Sequence, residues 1–192
     1  MISRFLIVGV LALGLGFGSV AQAADYVVDT KGAHASINFR IKHLGYSWLT
    51  GRFDTFAGEF SFDEANPTAS KISIDIDTAS VSSNHAKRDK HIRSADFLNV
   101  DKFPKAKFVS TSMTKTGAKT GVVKGNLTLH GVTKEIAIQA EYIGGGKDPW
   151  GGFRQGFAGA TTFKLADFGI TYNLGPASEM IEMSLHVEGV RK

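Results

Sequence analysis

The 192-residue sequence predicts an all-β fold, an antiparallel barrel of eight or more strands with one short helical excursion near residues 83–95. Three observations carry this. Apolar and polar residues alternate with a period of two through most of the chain, as strands with one buried face require. Several of these runs exceed the usual strand length of about 5–6 residues, which favours a tall barrel over a compact sandwich. Turn-forming clusters separate them, and little helix lies between.

The first segment reads as an address. Arg4 precedes the apolar run Phe5 to Phe17, which is too short to span a bilayer, and Ala21-Gln22-Ala23 is a small-residue cleavage signal. Residues 1–23 are therefore expected to be a cleaved secretory signal, and residues 24–192 a single exported β-barrel domain. The chain contains no cysteine, which excludes disulfides, thiolate metal sites, cysteine nucleophiles and cysteine-linked lipid anchors. With 43% hydrophobic and 21% charged residues, the composition is that of a globular domain able to build its own core.

The strands follow in order. Tyr26–Asp29 is a short candidate. Ala35, Ile37, Phe39, Ile41 and His43 alternate with Ser36, Asn38, Arg40 and Lys42. Between Gly51 and Asp63 the parity slips, since Phe53 is odd and Phe56, Phe60 and Phe62 are even; a bulge near Asp54–Ala57 would restore the inward face. Ile72, Ile74 and Ile76 alternate with Lys71, Ser73, Asp75 and Asp77. Further runs lie at Lys107–Lys115, from Val123 to Leu129, from Ile136 to Tyr142, from Phe157 to Leu165 and from Ile181 to Val187. Turns are expected at Glu64-Ala65-Asn66-Pro67, Lys115-Thr116-Gly117, His130-Gly131, Gly144-Gly145-Gly146 with Asp148-Pro149, and Gly175-Pro176. The helical excursion covers His85–Arg93, with Ser83 or Asn84 as N-cap and Ile92, Ala95, Phe97 and Leu98 as its anchoring side.

The polar parity decides which face is wet. One strand carries Lys71, Asp75 and Asp77 on that face, and the last carries Glu182, Ser184, His186 and Glu188. Each charge turned to lipid near the midplane would cost roughly 2–4 kcal/mol. The outer face is therefore in water, which excludes an outer-membrane barrel and stable membrane insertion. The apolar rows point inward, where they either fill the barrel or line a ligand cavity. The inward rows mix Phe with small residues (Ala35, Gly58, Ala140, Gly159, Thr161), which leaves room inside.

Several segments then form a recognisable set: Phe39-Arg40-Ile41-Lys42-His43-Leu44-Gly45, Gly51-Arg52-Phe53, Arg88-Asp89-Lys90-His91-Ile92-Arg93, Asp96-Phe97, Phe103-Pro104, Gly125 to Thr133 (GNLTLHGVT) and Asp167-Phe168-Gly169-Ile170. In this order, from about Asp25 to Val190, the chain resembles the YceI-like family of exported proteins, particularly its periplasmic proteobacterial members. The resemblance implies a lipocalin-like barrel with an elongated apolar cavity. It implies a polyisoprenoid ligand: an isoprenoid quinone, its precursor or a polyprenyl phosphate. The implied role is binding, carrying or storing that lipid in the periplasm, sometimes tied to stress responses, with no settled catalytic residues.

The tunnel is accordingly expected to be lined by Phe39, Ile41, Phe53, Phe60, Ile74, Phe108, Leu127, Ile138, Phe157, Phe163 and Met183. His43 ends the first inward row and would meet a head group at the mouth, or be a structural histidine. Arg88 would hold a phosphate or quinone oxygen by charge-assisted bonds, or pair with a carboxylate to pin the helix. Trp48, in a linking loop, would line the entrance or plug a barrel end. Lys87, Lys90 and Arg93 are expected in solvent, as are His34, His130 and His186. No metal motif, phosphate-binding loop or nucleophile elbow is present in the sequence, so neither a metal nor a cofactor is expected. The net charge of +4 is scattered along strands and forms no stripe for nucleic acid. Two other readings stay open: an enzyme of isoprenoid or quinone metabolism, and a ligand-free protein-interaction module, with a homodimer as candidate assembly.

Overall fold

The computed structural model describes residues 23–192, so the signal-peptide expectation for residues 1–23 lies, Ala23 apart, outside the described residues. Eleven strands form one antiparallel sheet: β1 (Ala24–Val28), β2 (Ser36–His43), β3 (Ser47–Phe53), β4 (Phe56–Phe62), β5 (Lys71–Asp77), β6 (Val81–Ser82), β7 (Lys105–Lys115), β8 (Thr120–Leu129), β9 (Val132–Lys147), β10 (Phe153–Lys164) and β11 (Met180–Arg191). Helix α1 (Ala86–Arg93) falls between β6 and β7. Eight strands close on themselves in the order β1-β4-β5-β7-β8-β9-β10-β11 and back to β1. The expected closed barrel is therefore present.

The remaining three strands extend this ring. One edge of β11 serves two partners end to end, β2 along Ile181–His186 and β1 along Gly189–Arg191. β2, β3 and β6 follow β1, β4 and β5 in pairing order, so the sheet continues past the ring. Its breaks lie at Asp29–Ala35, Asp54–Thr55 and the 3-10 turn Thr78–Ser80. The parity slip read in the sequence is thus a strand break at Asp54–Thr55: Phe53 faces Ile37 and Val81, while Phe56 faces Ile76. At the end of this extension β6 has β3 on one side only. There the carbonyls of Ala79 and Val81 accept from Arg93 at 2.7 and 2.5 Å, and that of Ser83 accepts from Arg88. Arg93 is therefore not solvated; its guanidinium stands in for a missing strand.

Two other expectations need correction. His85, not Ser83 or Asn84, caps α1, its Nδ1 accepting from the Arg88 amide at 3.3 Å. Ser83 does not serve, because its hydroxyl oxygen accepts from Arg88 Nε and gives its proton to Asp89. The triple glycine Gly144–Gly146 is not a turn but part of β9, beside a register shift that leaves Ile143 unpaired and 57% exposed. Glycine is required at Gly145, because a Cβ there would stand 2.7 Å from the Arg154 carbonyl oxygen and inside the Gln155 carboxamide.

The inward rows form the core, with Phe39, Ile41, Phe60, Ile74, Phe108 and Leu127 all buried. Where β1 joins β4 and β11, Tyr26 stacks on Phe60 at 4.9 Å, and Phe157 packs edge-on to Phe60 and Phe62 at 5.5 and 5.0 Å. These rings close the space at that level. Gly125, buried on β8, lies under the Phe108 ring, and a Cβ there would stand 2.6 Å from the Val109 carbonyl oxygen. Gly125→Ala is expected to lose about 1–3 kcal/mol in a denaturant melt, because backbone cannot yield as a side chain would. A neutral result would mean that β7 and β8 can part without cost.

Candidate functional site

The inward faces do not meet at the axis. They enclose a cavity of about 400 Å³ within the ring and its three-stranded extension. Of the residues read from the sequence, thirteen line this cavity: Phe39, Ile41, His43, Phe53, Phe60, Ile74, Arg88, Phe108, Leu127, Ile138, Phe157, Phe163 and Met183. Trp48 does not. It belongs to β3, not to a loop, and stands opposite Lys42 on the outer parity. Its ring is 41% exposed beneath the Arg40 guanidinium, 4.2 Å from the ring centre. The reason is alternation, since Leu49 and Phe53, on the other parity, take the inside.

One end of the cavity is a mouth built by α1 and two loops. Arg88, His91 and Ile92 line it, at the i, i+3 and i+4 positions of one helix face. Phe97 and Leu98 follow the helix, and Ile170 and Leu174 come from the loop after the 3-10 turn Leu165–Phe168, which the fully buried Phe168 anchors. The His91 ring packs against Phe97 and Tyr172 at 4.9 and 5.2 Å, and its Nε2 lies 2.9 Å from the Asp96 carboxylate. Arg88 spends Nε on the Ser83 hydroxyl at 2.7 Å and one further N–H on the Ser83 carbonyl. Asp89, 8% exposed, accepts from the amide and hydroxyl of the same serine. Arg88 and Asp89 thus meet through Ser83 and share no direct ion pair. Burial pushes the Asp89 carboxyl up, but the Ser83 bonds and the charges of Arg93 and Arg88 outweigh it and hold the group below its usual range.

The sequence reading missed His91, Phe97, Leu98, Ile170 and Leu174. The helical spacing from Arg88 was a usable signal for His91; nothing local announces that the 170–174 loop folds over the same mouth. His130 also departs from expectation. It is half-buried, bonded to the Phe168 carbonyl at 3.1 Å and packed on Phe103.

Away from the mouth, near the chain ends, Arg154 gathers three carboxylates: Asp29 and Glu188 each at 2.6 Å from Nη1, and Asp148 at 2.9 Å from Nε. Asp29, His34 and Glu188 have the spacing of metal ligands, but the guanidinium already supplies the cation for both acids. Asp29 is held far below the usual carboxylate range by its bonds to His34, Arg154 and the Gly32 amide. Burial raises Asp148, but Arg154 and the Gly152 and Trp150 amides outweigh it, and its pKa is lowered. Both depressed groups contribute stability that is present above about pH 4 and lost as pH falls through their folded values. The urea midpoint should therefore hold from pH 7 to about 5 and drop below about 4. In Arg154→Met it should start lower and fall less steeply. A parallel fall in both proteins would remove this network from the account.

Residues 26–189 match the YceI-like domain family. The chain belongs to the YceI-like family. It is 60% identical over 184 residues to a UPF0312 protein of Ectopseudomonas mendocina, covering 94% of this chain and 96% of that one. The crystal structure of the Campylobacter jejuni YceI protein superposes with a TM-score of 0.71 at 31% identity, covering 79% of this chain and 90% of that one. A polyisoprenoid binding domain from Saccharophagus degradans shares the fold, with a TM-score of 0.65 at 17% identity over 89% of this chain and 100% of that one. Among the described residues no helix of this YceI-like barrel is long and apolar enough to cross a membrane.

Proposed function

We propose that this YceI-like protein binds a polyisoprenoid lipid in its barrel and carries or stores it in the periplasm, without acting on it chemically. One observation carries the reading: a cavity of about 400 Å³ whose walls are almost wholly apolar, with Arg88, His91 and His43 among the few polar groups that line it. Burying apolar surface yields about 25 cal/mol per Å², so a long prenyl chain gains more from such a lining than it loses on being ordered. The Saccharophagus degradans domain of the same fold, described as polyisoprenoid binding, supports the same ligand class. Binding without turnover is favoured because, among the described residues, no carboxylate lines the cavity to act as a general base. The periplasmic setting rests on the signal-like residues 1–23 and the absence of cysteine.

The test is extraction. Full-length protein expressed with export and purified without detergent should release a prenyl lipid into organic solvent, identified by mass spectrometry. Protein that is repeatedly empty and takes up no added isoprenoid quinone would overturn the reading.

A further inference from the structure

The cavity has a second polar end. Ser61 near the end of β4, Ser70 just before β5 and Ser110 on β7 all line it. These belong to neighbouring strands. β5 runs from this level for seven residues, roughly 23 Å, toward Asp77, beyond which the chain leads into β6 and the mouth helix. The serines therefore lie at the far end from Arg88.

The Ser61 hydroxyl accepts from the Lys71 amide at 3.2 Å, and that of Ser110 accepts from the Ile72 amide at 2.9 Å. Each keeps its own proton to donate. The Ser70 hydroxyl oxygen is buried and has no hydrogen-bond partner among the described residues. Buried hydroxyls are nearly always satisfied, so an orphan in a cavity wall marks where a partner belongs. The chemistry of that partner follows from its surroundings. Among the described residues no guanidinium or imidazole lines this end; Lys71 borders it, but its side chain has the opposite parity from Ser70 and Ile72 and is exposed. The turn between β4 and β5 carries Asp63 and Glu64, which disfavour an anion.

We infer that the serine end seats a neutral oxygen of the bound lipid, an alcohol or a carbonyl, with Ser70 as its hydrogen-bond partner. This rests on the polyisoprenoid reading and deepens it. A neutral-headed ligand then lies with its oxygen at Ser70 and its tail toward the mouth, whereas the Arg88 end suits an anionic head.

The experiment uses delipidated full-length protein titrated with geranylgeraniol and with its deoxygenated hydrocarbon, read by native mass spectrometry. In Ser70→Ala the alcohol-to-hydrocarbon affinity ratio should fall about three- to tenfold from the parent value, with hydrocarbon affinity and melting temperature unchanged. A ratio unchanged in Ser70→Ala overturns the inference. So does a ratio that falls only in Arg88→Gln, which would put the oxygen at the mouth. Binding of neither compound to the parent protein overturns the polyisoprenoid reading itself, a result distinct from hydrocarbon binding without discrimination.

Discussion

Ala140→Trp should leave the barrel folded and empty it of lipid. Ala140 lines the cavity from β9, and its cross-strand neighbours are Gly121 on β8 and Gly159 on β10. Ala140 is on the inward parity of β9, so an indole there enters the cavity, and the glycine flanks leave it room beside the wall. It takes volume that a prenyl tail would use. A conflict of about 1–3 kcal/mol with the ligand corresponds to roughly a five- to 150-fold loss of affinity. Co-purifying lipid should fall by about that factor, measured per mole of protein by mass spectrometry, while the melting temperature moves by only a few degrees. Wild-type loading in this variant would mean that no tail passes Ala140. Phe157 is a poorer place for the same experiment. It packs edge-on to Phe60 and Phe62 and tilted on Tyr142, so a larger ring there would disturb the closed end and confuse stability with loading.

Asp89→Ala should be the most destabilising single change at the mouth. The carboxylate is buried and bonds both the amide and the hydroxyl of Ser83, which is itself 3% exposed. Removing it strands a buried amide and breaks the unit through which Arg88 holds the helix to the sheet. Two lost partners at about 1–2 kcal/mol each predict a loss of about 2–4 kcal/mol in a denaturant melt at pH 7. In a domain of this size that is a fall of about 10 °C in melting temperature. Asp89→Asn keeps one acceptor oxygen and should lose less. The pH dependence has a definite sign. The folded Asp89 pKa is depressed, so its contribution is complete above the unfolded value near 4 and disappears as pH falls through the folded one. Asp89→Asn should lack that component. A loss below about 1 kcal/mol in Asp89→Ala would show that α1 is held by apolar packing alone.

How far the site could be read in advance depended on what each residue's position required. Phe39, Ile41, Ile74, Leu127 and Met183 were legible as cavity residues because each sits on the apolar parity of a long alternating strand. Arg88 was legible as a polar group at the cavity, but not its bonding to Ser83, which depends on how the helix returns to the edge of β6. Trp48 was misplaced because a tryptophan beside a turn is equally at home at an entrance or on an outer face, and only strand register tells the two apart. The glycines at 144–146 looked like a turn by composition; the Arg154 carbonyl and the Gln155 side chain, across the hairpin, explain the glycine at 145.

What the sequence determined by itself was sidedness: period-two alternation is a local property of each strand, and a charged face cannot meet lipid whatever the strand's neighbours. The closure was decided only in three dimensions. β11 pairs with β2 and then β1, its register partners lying 140 or more residues before it, and the sheet breaks at Asp29–Ala35, Asp54–Thr55 and Thr78–Ser80 where the three further strands begin. The same holds for Arg154, which joins Asp29, Asp148 and Glu188, and for the three serines that meet at the far end of the cavity. Those groupings depend on which distant segments hydrogen-bond to one another, and pairing is set by the energy of the closed sheet as a whole rather than by the composition of any one strand.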